Sequence, residues 1–580
     1  MSTIKVSDYL AQALFQKGVR HVFELSGGMI TFLLDSLCVR NEIQVISVRH
    51  EQAAAFAADA YGRMTGVPGI AMATSGPGAT NLLTGIGSCY FDSSPAVFIT
   101  GQVNRHEQKK DRAIRQLGFQ ETDIVSMAKP ITKAAWLVEN AEDFPNLLDR
   151  AFELAVSGRP GPVLLDLPMD IQRIKIDGRE SRPAQPVLDS LGATLDSDLE
   201  EVVRAIRAAK RPMLLVGGGV RGSRMTEALR RTVKSAGVPV VHSLMAIDAL
   251  PSTEPLRVGM IGSYGNRWAN IALSECDVLL VIGSRLDVRQ TGSETAAFKG
   301  DRTIFHIDCE PGEINNRVQG CEPIVADLRL AIPALERAFA NAEPAGERYD
   351  NWLGSIAALR AQWPDTAELR DVPGINPNAF LHRLAAASSD AAAYVVDVGQ
   401  HQMWAAQSLD IGEDQRFLTS GSMGSMGFAL PAALGAAMSA GGRPVVVIAG
   451  DGGLQCNIQE LQTIAHHKLP MKIVVLNNRC HGMVRQFQES YFEGRYQSTY
   501  WGYSAPDFAK IANAYEICGT TVDDPQKLEP SLEWLWSEPD RPMLLQVMID
   551  LHANAYPKIA FGKPISEMEP FSKPVAMEST

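Results

Sequence analysis

Short β-rich runs alternate with helical stretches in three successive parts of this 580-residue chain. The first part contains the runs VFEL, VISV, GIAMAT, AVFITG and PVLLDL, separated by helical stretches such as EQAAAFAADAYGRM. The alternation resumes with PMLLVGGG, VPVVHS, DVLLVIGS and TIFHID, and again with AAYVVDVG, PVVVIAGDGG, KIVVLNN and PMLLQVMID. Strands that alternate with helices are typical of parallel sheets covered by helices. We therefore predict an α/β protein with three domains, each built on a mainly parallel sheet.

Breaks in the alternation predict where the domains end. The polar, proline-containing stretch DGRESRPAQPVLDS follows the first part, and the charged connector EPAGERYDNWLGSIAALRAQWPD follows the second. A chain of this length is expected to form about three or four domains. The predicted domains cover residues 1–180, 190–340 and 370–555, and a C-terminal tail covers 556–580.

Composition and charge exclude several classes of function. The formal net charge is −12, and the one dense basic stretch, at about 105–115, is short, so nucleic acid is not an expected partner. The eight cysteines show no CxxC spacing, which favours reduced thiols over disulfides or a zinc site. No run reaches the roughly 20 apolar residues of a membrane span, and the N-terminus lacks a signal-peptide pattern. We expect a cytoplasmic protein that does not enter the membrane.

The most specific motif is GDGGLQCNIQELQTIAHHKLPMKIVVLNN. The preceding run VVVIA predicts a buried strand, Gly450, Asp451, Gly452 and Gly453 a tight turn, and the apolar spacing that follows a helix. Backbone N–H groups at such a turn bind anions, and a diphosphate fits there. Asp451 and the strand-end Asn478 offer the hard oxygen ligands that Mg²⁺ prefers. A competing interpretation is an unrelated glycine turn followed by an ordinary asparagine.

GDG followed at this distance by NN resembles the signature of enzymes that depend on thiamine diphosphate (ThDP). The resemblance implies that Asp451, Asn478 and the backbone carbonyl of Cys480 hold Mg²⁺. The segment VRHEQAAAFAADAYGRM resembles the helix of this family whose glutamate, here Glu51, hydrogen-bonds N1′ of the aminopyrimidine ring. A carboxylate at this position also stabilises a helix N-terminus, so Glu51 alone would not indicate the cofactor.

Two further segments, TSGSMGSMGFALPAA and DVGQHQMWAAQ, resemble parts of the same family that contact ThDP. Met426 is expected to form an apolar wedge between the two rings of the cofactor, although most methionines are simply core residues. His401 alone would be interpreted as a structural histidine. The residues expected to contact ThDP are Glu51, Gly78, Gln400, His401, Gly424, Met426, Gly450, Asp451, Gly452, Gly453, Asn478, His481, Gly482 and Met483.

The resemblance extends from about residue 4 to 551 and is closest to the acetolactate synthases. The stretches ATSGPGATNLLTG, GFQETDIV and SGRPGPVLLDLPMDIQ carry it. These enzymes decarboxylate pyruvate and transfer the two-carbon unit to a second keto compound, so the resemblance implies a transferase of this type. Phe119, Gln120 and Gly78 match residues that line the place where pyruvate meets the thiazolium. The predicted catalytic residues are Glu51, Gln120 and Phe119.

The middle part of the chain resembles the synthase segments that hold FAD, whose redox chemistry the net reaction does not need. Loops at the carboxyl ends of strands are also where an α/β sheet binds an extended dinucleotide. Similar glycine turns occur in relatives whose middle domain binds another ligand or none. The residues expected to contact FAD are Gly217, Gly218, Gly219, Gly262, Ser284, Arg285, Asp308 and Asp327.

Departures from the synthase pattern leave the acceptor open. Phe487 stands where the synthases have a tryptophan that helps to choose the acceptor, and the loop NRHEQKKDRAIRQLG is longer and more basic than theirs. Pyruvate or 2-ketobutyrate as acceptor gives an acetohydroxy acid, whereas the departures resemble relatives that use a nucleotide-linked keto sugar.

Three further classes of protein compete with a carboligase at this point. A non-ligating pyruvate decarboxylase or oxidase would share the cofactor chemistry, and a non-catalytic nucleotide-binding protein would share the fold. An NAD dehydrogenase would use the glycine turns differently, but GGGVRG and GSYGN lack the full GxGxxG turn of that class.

Active sites of this family lie between subunits, which implies a homodimer or homotetramer, with or without a separate regulatory subunit. Glu51 and Asp451 would then face each other across the subunit boundary. We predict that sedimentation velocity will show the active protein as a dimer or larger. A fully active monomer would contradict this arrangement.

Overall fold

Three six-stranded sheets, all parallel, confirm the predicted α/β fold. The computed structural model describes residues 3–188 and 195–576. All eight cysteines are free thiols. Within the described ranges, no helix is both long and apolar enough to cross a membrane.

The first sheet has the strand order β3-β2-β4-β5-β7-β6. Its strands are β2 (His21–Leu25), β3 (Gln44–Ser47), β4 (Gly69–Ala73), β5 (Ala96–Gln102), β6 (Ala134–Leu137) and β7 (Pro162–Pro168). Its helices are α1 (Val6–Gln16), α2 (Thr31–Arg40), α3 (Glu51–Thr65), α4 (Pro77–Asn81), α5 (Leu83–Asp92), α6 (Ile124–Ala128), α7 (Phe144–Val156) and α8 (Met169–Arg173). β1 (Thr3–Lys5) pairs antiparallel with β8 (Lys175–Asp177) beside this sheet.

The second sheet has the order β11-β10-β9-β12-β13-β14. Its strands are β9 (Pro212–Val216), β10 (Val240–His242), β11 (Arg257–Met260), β12 (Val278–Ile282), β13 (Thr303–Asp308) and β14 (Glu322–Val325). The helices here are α9 (Leu195–Ala208), α10 (Gly219–Gly222), α11 (Thr226–Ala236), α12 (Arg267–Glu275), α13 (Val288–Thr291), α14 (Thr295–Lys299) and α15 (Leu328–Asn341), and α16 (Asp350–Gln362) follows in the connector.

The third sheet has the order β16-β15-β17-β18-β20-β19. Its strands are β15 (Ala393–Val396), β16 (Arg416–Thr419), β17 (Val445–Gly450), β18 (Met471–Asn477), β19 (Cys518–Val522) and β20 (Met543–Met548). Its helices are α17 (Pro377–Ala387), α18 (Gln400–Ser408), α19 (Ala429–Ser439), α20 (Asp451–Cys456), α21 (Leu461–His467), α22 (Gly482–Tyr491), α23 (Phe508–Ala514) and α24 (Leu528–Leu535).

The first and third sheets reverse at one edge, because β7 lies between β5 and β6 and β20 lies between β18 and β19. Each sheet also changes direction beside the strand that comes first in its sequence, and this change determines where ligands bind. The change lies between β2 and β4 in the first sheet, between β9 and β12 in the second, and between β15 and β17 in the third. Open parallel sheets bind ligands in the crevice outside the carboxyl ends of their strands at this point. The fold therefore offers three candidate crevices. The predicted domain limits at 180, 340, 370 and 555 stay predictions, and the limit at 190 lies outside the described residues.

The C-terminal tail packs back onto the second sheet. It forms a short antiparallel pair, β21 (Lys558–Ile559) with β22 (Met568–Glu569). Ile559, Ile565 and Met568 are buried in the same apolar cluster as Leu215 and Leu279 of the second sheet. The tail, in which the sequence shows little pattern, thus completes the core of the middle domain.

The first and third domains are joined by direct packing of α3 against α19. Small residues let the two helix backbones meet, and a Cβ atom at Gly435 would lie only 1.9 Å from the carbonyl oxygen of Ala57. Phe56 and Phe428 add an edge-to-face contact with ring centroids 5.3 Å apart. Both helices belong to one continuous apolar core.

We predict that Gly435→Ala destabilises the protein, because the added methyl meets backbone that cannot move aside. Overpacking of this kind costs about 1–3 kcal/mol. The matched control is Gly354→Ala in α16, where a Cβ atom meets nothing within 4 Å. Alanine in a helix is favoured over glycine by about 0.5–1 kcal/mol, so the control should be neutral or stabilising. Thermal unfolding midpoints check both, and equal midpoints would contradict the close packing.

Candidate active site

The glycine segment that the sequence predicted as a tight turn lies at the switch point of the third sheet, but Asp451, Gly452 and Gly453 form the first turn of a helix instead, which begins directly after the strand. β17 ends at Gly450 and α20 begins at Asp451, which is 2% exposed. The Tyr503 hydroxyl donates a hydrogen bond to Oδ2 of Asp451 at 2.9 Å. Burial raises the pKa of the Asp451 carboxyl to about 6, although Tyr503 and the backbone N–H of Cys480 donate hydrogen bonds that act in the opposite direction. A carboxylate buried in this way is stabilised when a cation binds beside it.

Asn478 and Gln400 meet beside this turn. Asn478 directly follows β18, and its Nδ2 donates to Oε1 of Gln400 at 3.0 Å. Nε2 of Gln400 donates in turn to Oε1 of Gln486 at 3.0 Å. A Cβ atom at Gly482 would lie 1.9 Å from Oε1 of Gln400, so a side chain there would displace the Gln400 amide. The structure thus brings Asp451, Asn478, Gln400 and Gly482 to one edge of the sheet.

His401 lies against the same turn. Its ring is 5% exposed, and a Cβ atom at Gly450 would lie 2.8 Å from its Nδ1. Burial lowers the pKa of His401 to about 3, so the ring is neutral near pH 7. Its Nε2 is buried and has no hydrogen-bond partner among the described residues. Buried polar atoms in native proteins are nearly always paired, so this nitrogen fits a site that a polar ligand completes.

The remaining glycines of this segment let neighbouring side chains approach the backbone closely. A Cβ atom at Gly452 would lie 2.7 Å from Cε1 of His481 and 3.3 Å from Cε of Met426, and one at Gly453 would lie 2.5 Å from Oδ1 of Asp397. Met426 is 39% exposed, so it is not a core methionine. Gly424 has a φ of +66°, and Met483 in α22 is half-buried.

Glu51 is the first residue of α3 and lies in a crevice of the first sheet. It is 7% exposed, and its Oε2 accepts a hydrogen bond from Nδ2 of Asn81 at 2.9 Å. A Cβ atom at Gly78 would lie 3.3 Å from Oε1 of Glu51, and one at Gly76 would lie 3.0 Å from Cβ of Gln120. One loop therefore brings Glu51, Gly78 and Gln120 into the same neighbourhood.

Two predicted residues lie at the surface of the single chain. Phe119 is 80% exposed and Phe487 is 38% exposed. Phe487 packs against the rings of Tyr491 and Phe492, with centroids 4.7 and 5.9 Å away. Across the described residues, no hydrogen bond or ion pair connects the group around Glu51 directly with Asp451. Two hydrogen bonds link the neighbouring segments: the backbone N–H of Arg49 donates to Oε1 of Glu460 at 2.9 Å, and Nδ2 of Asn457 donates to Oε1 of Gln52 at 3.1 Å.

Three side chains of the site were not predicted from the sequence. Asp397, at the end of β15, accepts hydrogen bonds from the backbone N–H groups of Gly427, at 3.0 Å, and Ala429, at 2.8 Å. Asn81 donates a hydrogen bond to the carboxylate of Glu51, and Tyr503 donates one to that of Asp451. The strand-end position of Asp397 was a usable signal, whereas Tyr503 lies in an irregular segment that has none.

A cavity of about 1210 Å³ opens at the switch point of the second sheet. Six of the eight residues expected to contact FAD line it: Gly218, Gly219, Ser284, Arg285, Asp308 and Asp327. Gly217 packs instead against Gly283, with a Cβ position 2.0 Å from its carbonyl oxygen, and Gly262 against Arg289 at 2.3 Å. Both glycines therefore let backbone segments pack closely behind the cavity wall and do not line the cavity. Arg159 of the first domain also lines the cavity, and the sequence reasoning did not include it.

The described residues contain no group of three or more His, Cys, Asp or Glu side chains that could hold a metal ion. A cation would therefore need amide or carbonyl oxygens as well as carboxylates. The turn at Asp451 offers this mixture, because the amide of Asn478 and the backbone at Cys480 adjoin it.

Three parallel α/β domains, with a buried strand-end carboxylate and a glycine turn on the third sheet, define a class of enzyme that binds a phosphorylated cofactor at its sheet edges. Three family descriptions match the chain: the N-terminal TPP binding domain, the central domain and the C-terminal TPP binding domain of thiamine pyrophosphate enzymes, over residues 4–127, 199–335 and 397–547. The chain belongs to the thiamine pyrophosphate enzyme family.

The chain is also similar to individual enzymes named acetolactate synthase. The chain is 36% identical to the acetolactate synthase large subunit of Porphyra purpurea, covering 97% of this chain and 95% of the relative. It is 37% identical to the acetolactate synthase isozyme 2 large subunit of Escherichia coli K12, covering 97% and 98%. It is 38% identical to the chloroplastic acetolactate synthase 2 of Nicotiana tabacum, covering 96% and 84%.

Proposed function

We propose that the chain is a ThDP- and Mg²⁺-dependent carboligase of the acetolactate synthase type. It decarboxylates pyruvate and transfers the two-carbon unit to pyruvate or 2-ketobutyrate, which gives an acetohydroxy acid. The observation that carries the proposal is the convergence of Asp451, Asn478 and the unpartnered His401 at the switch point of the third sheet. Relatives that bear this enzyme name match almost the whole chain.

The residues around the turn fit the predicted cofactor. The carboxylate of Asp451, the amide oxygen of Asn478 and the backbone carbonyl of Cys480 would hold Mg²⁺, which prefers such oxygen ligands. The backbone N–H groups of the glycine turn and the side chains of Gln400 and His401 would face the diphosphate. When bound, ThDP supplies the electron sink for loss of CO₂.

Glu51 has the environment that its proposed role requires. It would exchange a hydrogen bond with N1′ of the aminopyrimidine, and Asn81 fixes its carboxyl group at 2.9 Å. The exposed side chain of Met426 would support the cofactor between its rings, and Gly78 and Gln120 would line the substrate side. An apolar surrounding keeps water from the reacting carbon and so favours ligation over release of acetaldehyde.

FAD is the proposed occupant of the middle-domain cavity, with a structural rather than a redox role. The glycines at the end of β9 and the three arginines in the lining suit a dinucleotide. Because Glu51 and Asp451 have no direct contact within one chain, we also propose that a second copy completes each site in a homodimer or homotetramer. The relatives are named large subunits, which supports a regulatory partner.

A nucleotide-linked keto sugar is a second candidate for the acceptor. Phe487 is 38% exposed, and Lys110, Arg112 and Arg115 are exposed on the loop that precedes Gln120. Such a loop would attract a phosphorylated acceptor by its charge.

Product identification tests the proposed reaction. The protein is incubated with pyruvate, ThDP and Mg²⁺, with and without 2-ketobutyrate or keto sugars, and the products are identified by mass. We expect acetolactate, and a mixed product with each competent acceptor. Acetaldehyde alone would indicate a decarboxylase, and acetate with hydrogen peroxide an oxidase. A yellow preparation would report flavin.

We predict that Glu51→Gln retains ThDP but lowers kcat by orders of magnitude, since the amide cannot exchange the proton at N1′. Calorimetric ThDP binding and steady-state kinetics separate the two effects. Glu24→Gln, at a buried carboxyl of the neighbouring β2, is the control and should keep near-normal kcat. Full activity of Glu51→Gln would refute the role.

We predict that Tyr503→Phe weakens Mg²⁺ binding by about 10–100-fold, because groups that orient a metal ligand typically contribute this much. The substitution removes the hydroxyl that holds Oδ2 of Asp451 and keeps the ring. Mg²⁺ titration, followed by ThDP-induced quenching of tryptophan fluorescence, measures the change. Tyr515→Phe, at a half-buried tyrosine beyond α23, is the control. Unchanged Mg²⁺ dependence would show that Tyr503 does not position the carboxylate.

A further inference from the structure

A second cavity, of about 1030 Å³, lies where the three domains meet. The end of α3, the helix α10 and the strand β16 all contribute to its walls. It adjoins the cavity proposed for FAD and shares six lining residues with it, but the two cavities have no arginine in common; the shared residues are Asp92, Ser93, Pro160, Gly218, Gly222 and Met245. The FAD cavity has its own cations, Arg159, Arg285 and Arg289.

The lining of this junction cavity carries an excess of positive charge. Asp92 and Asp248 are its only acidic lining residues, and all lining residues belong to the described part of the chain. Five arginines oppose them: Arg63, Arg221, Arg224, Arg329 and Arg416. A concave surface lined mainly by one sign of charge concentrates ions of the opposite sign.

Asp248 fixes two of these arginines at the cavity wall. It is 1% exposed, and its two oxygens accept hydrogen bonds from Nε of Arg221 at 3.0 Å and from Nε of Arg416 at 2.8 Å. One carboxylate thus serves two guanidinium groups, which leaves one positive charge uncompensated. Burial lowers the pKa of Arg416, and repulsion from Arg221 and Arg63 contributes to the same shift.

Arg224 adds a further free charge. Its guanidinium donates to the backbone carbonyl of Thr65, and among the described residues no carboxylate lies within 4 Å of it. Arg63, by contrast, is paired with Asp59 at 2.6 Å and with Asp92 at 3.4 Å, and Arg329 is paired with Asp327 at 2.9 Å. The uncompensated charge is therefore concentrated at Arg221, Arg224 and Arg416.

We propose that the junction cavity binds a phosphate group, as free phosphate or as a phosphate ester, through Arg221, Arg224 and Arg416. Guanidinium groups donate paired hydrogen bonds that match phosphate oxygens. Asp248 already holds two of the three groups in place, so binding orders few side chains. This site is separate from the proposed reaction, and its occupant bridges the second domain, through Arg221 and Arg224, and the third domain, through Arg416.

Calorimetric titration with inorganic phosphate tests the site. The protein is first saturated with ThDP, Mg²⁺ and FAD, so that the other proposed phosphate sites are filled. We expect one saturable phosphate site per chain, weakened about tenfold or more in Arg224→Gln, because hydrogen bonds between charged groups contribute this much. Arg224 is exposed, so this variant should fold normally, which thermal unfolding verifies. Arg231→Gln, an exposed arginine of α11 paired with Glu336, is the matched control and should bind normally.

AMP distinguishes the two sources of phosphate. Displacement of inorganic phosphate by AMP assigns a nucleotide monoester to the cavity, and saturable phosphate binding that AMP does not displace assigns free phosphate. Either result, with the loss in Arg224→Gln, supports the site. Absence of saturable phosphate binding, or equal affinity in the wild type and Arg224→Gln, overturns it, whatever the outcome of the product assay.

Discussion

The packing of α3 against α19 is the contact on which the placement of the site depends. Glu51 is the first residue of α3, and Met426 lies just before α19, so both parts of the predicted cofactor site extend from the two helices that meet. The close approach requires glycine at 435, because any side chain there would meet the Ala57 carbonyl. A shift of either helix would therefore move a functional residue.

Polar groups with raised or lowered pKa values surround the edge of the third sheet. Burial raises the pKa of Asp397 and of Asp451 to about 6, and lowers that of His401 to about 3. Asp397 is satisfied by backbone N–H groups and fixes the loop before α19. Asp451 and His401 can still bind a ligand. Asp397 is therefore a structural carboxylate, whereas Asp451 is the candidate metal ligand. The proposed cofactor would compensate both Asp451 and His401.

The middle domain takes part in two cavities because its switch point adjoins the other domains. Arg159 of the first domain reaches Glu310 and Glu313 of the second at 2.8 and 2.9 Å, and it lines the FAD cavity. Arg416 of the third domain reaches Asp248 of the second. These ion pairs cross domain boundaries within partly closed cavities, where charges are less screened by solvent than at the surface. Side chains that form ion pairs between the domains therefore also line the two cavities.

The sequence by itself determined the alternation of strands and helices and the position of Asp451 and its glycines at a strand end, because periodicity and turn chemistry are local properties of the chain. The resemblance to the synthases supplied the eight residues expected to contact FAD, of which six line the cavity of the second sheet. The sequence did not indicate Tyr503, Asn81 or Arg159, nor that the tail completes the core of the second domain. Those contacts join segments that are far apart or lack regular structure, and only packing brings them together. The tertiary structure also decided that Gly217 and Gly262 support the cavity instead of lining it, since a neighbouring backbone occupies the space beside each of them.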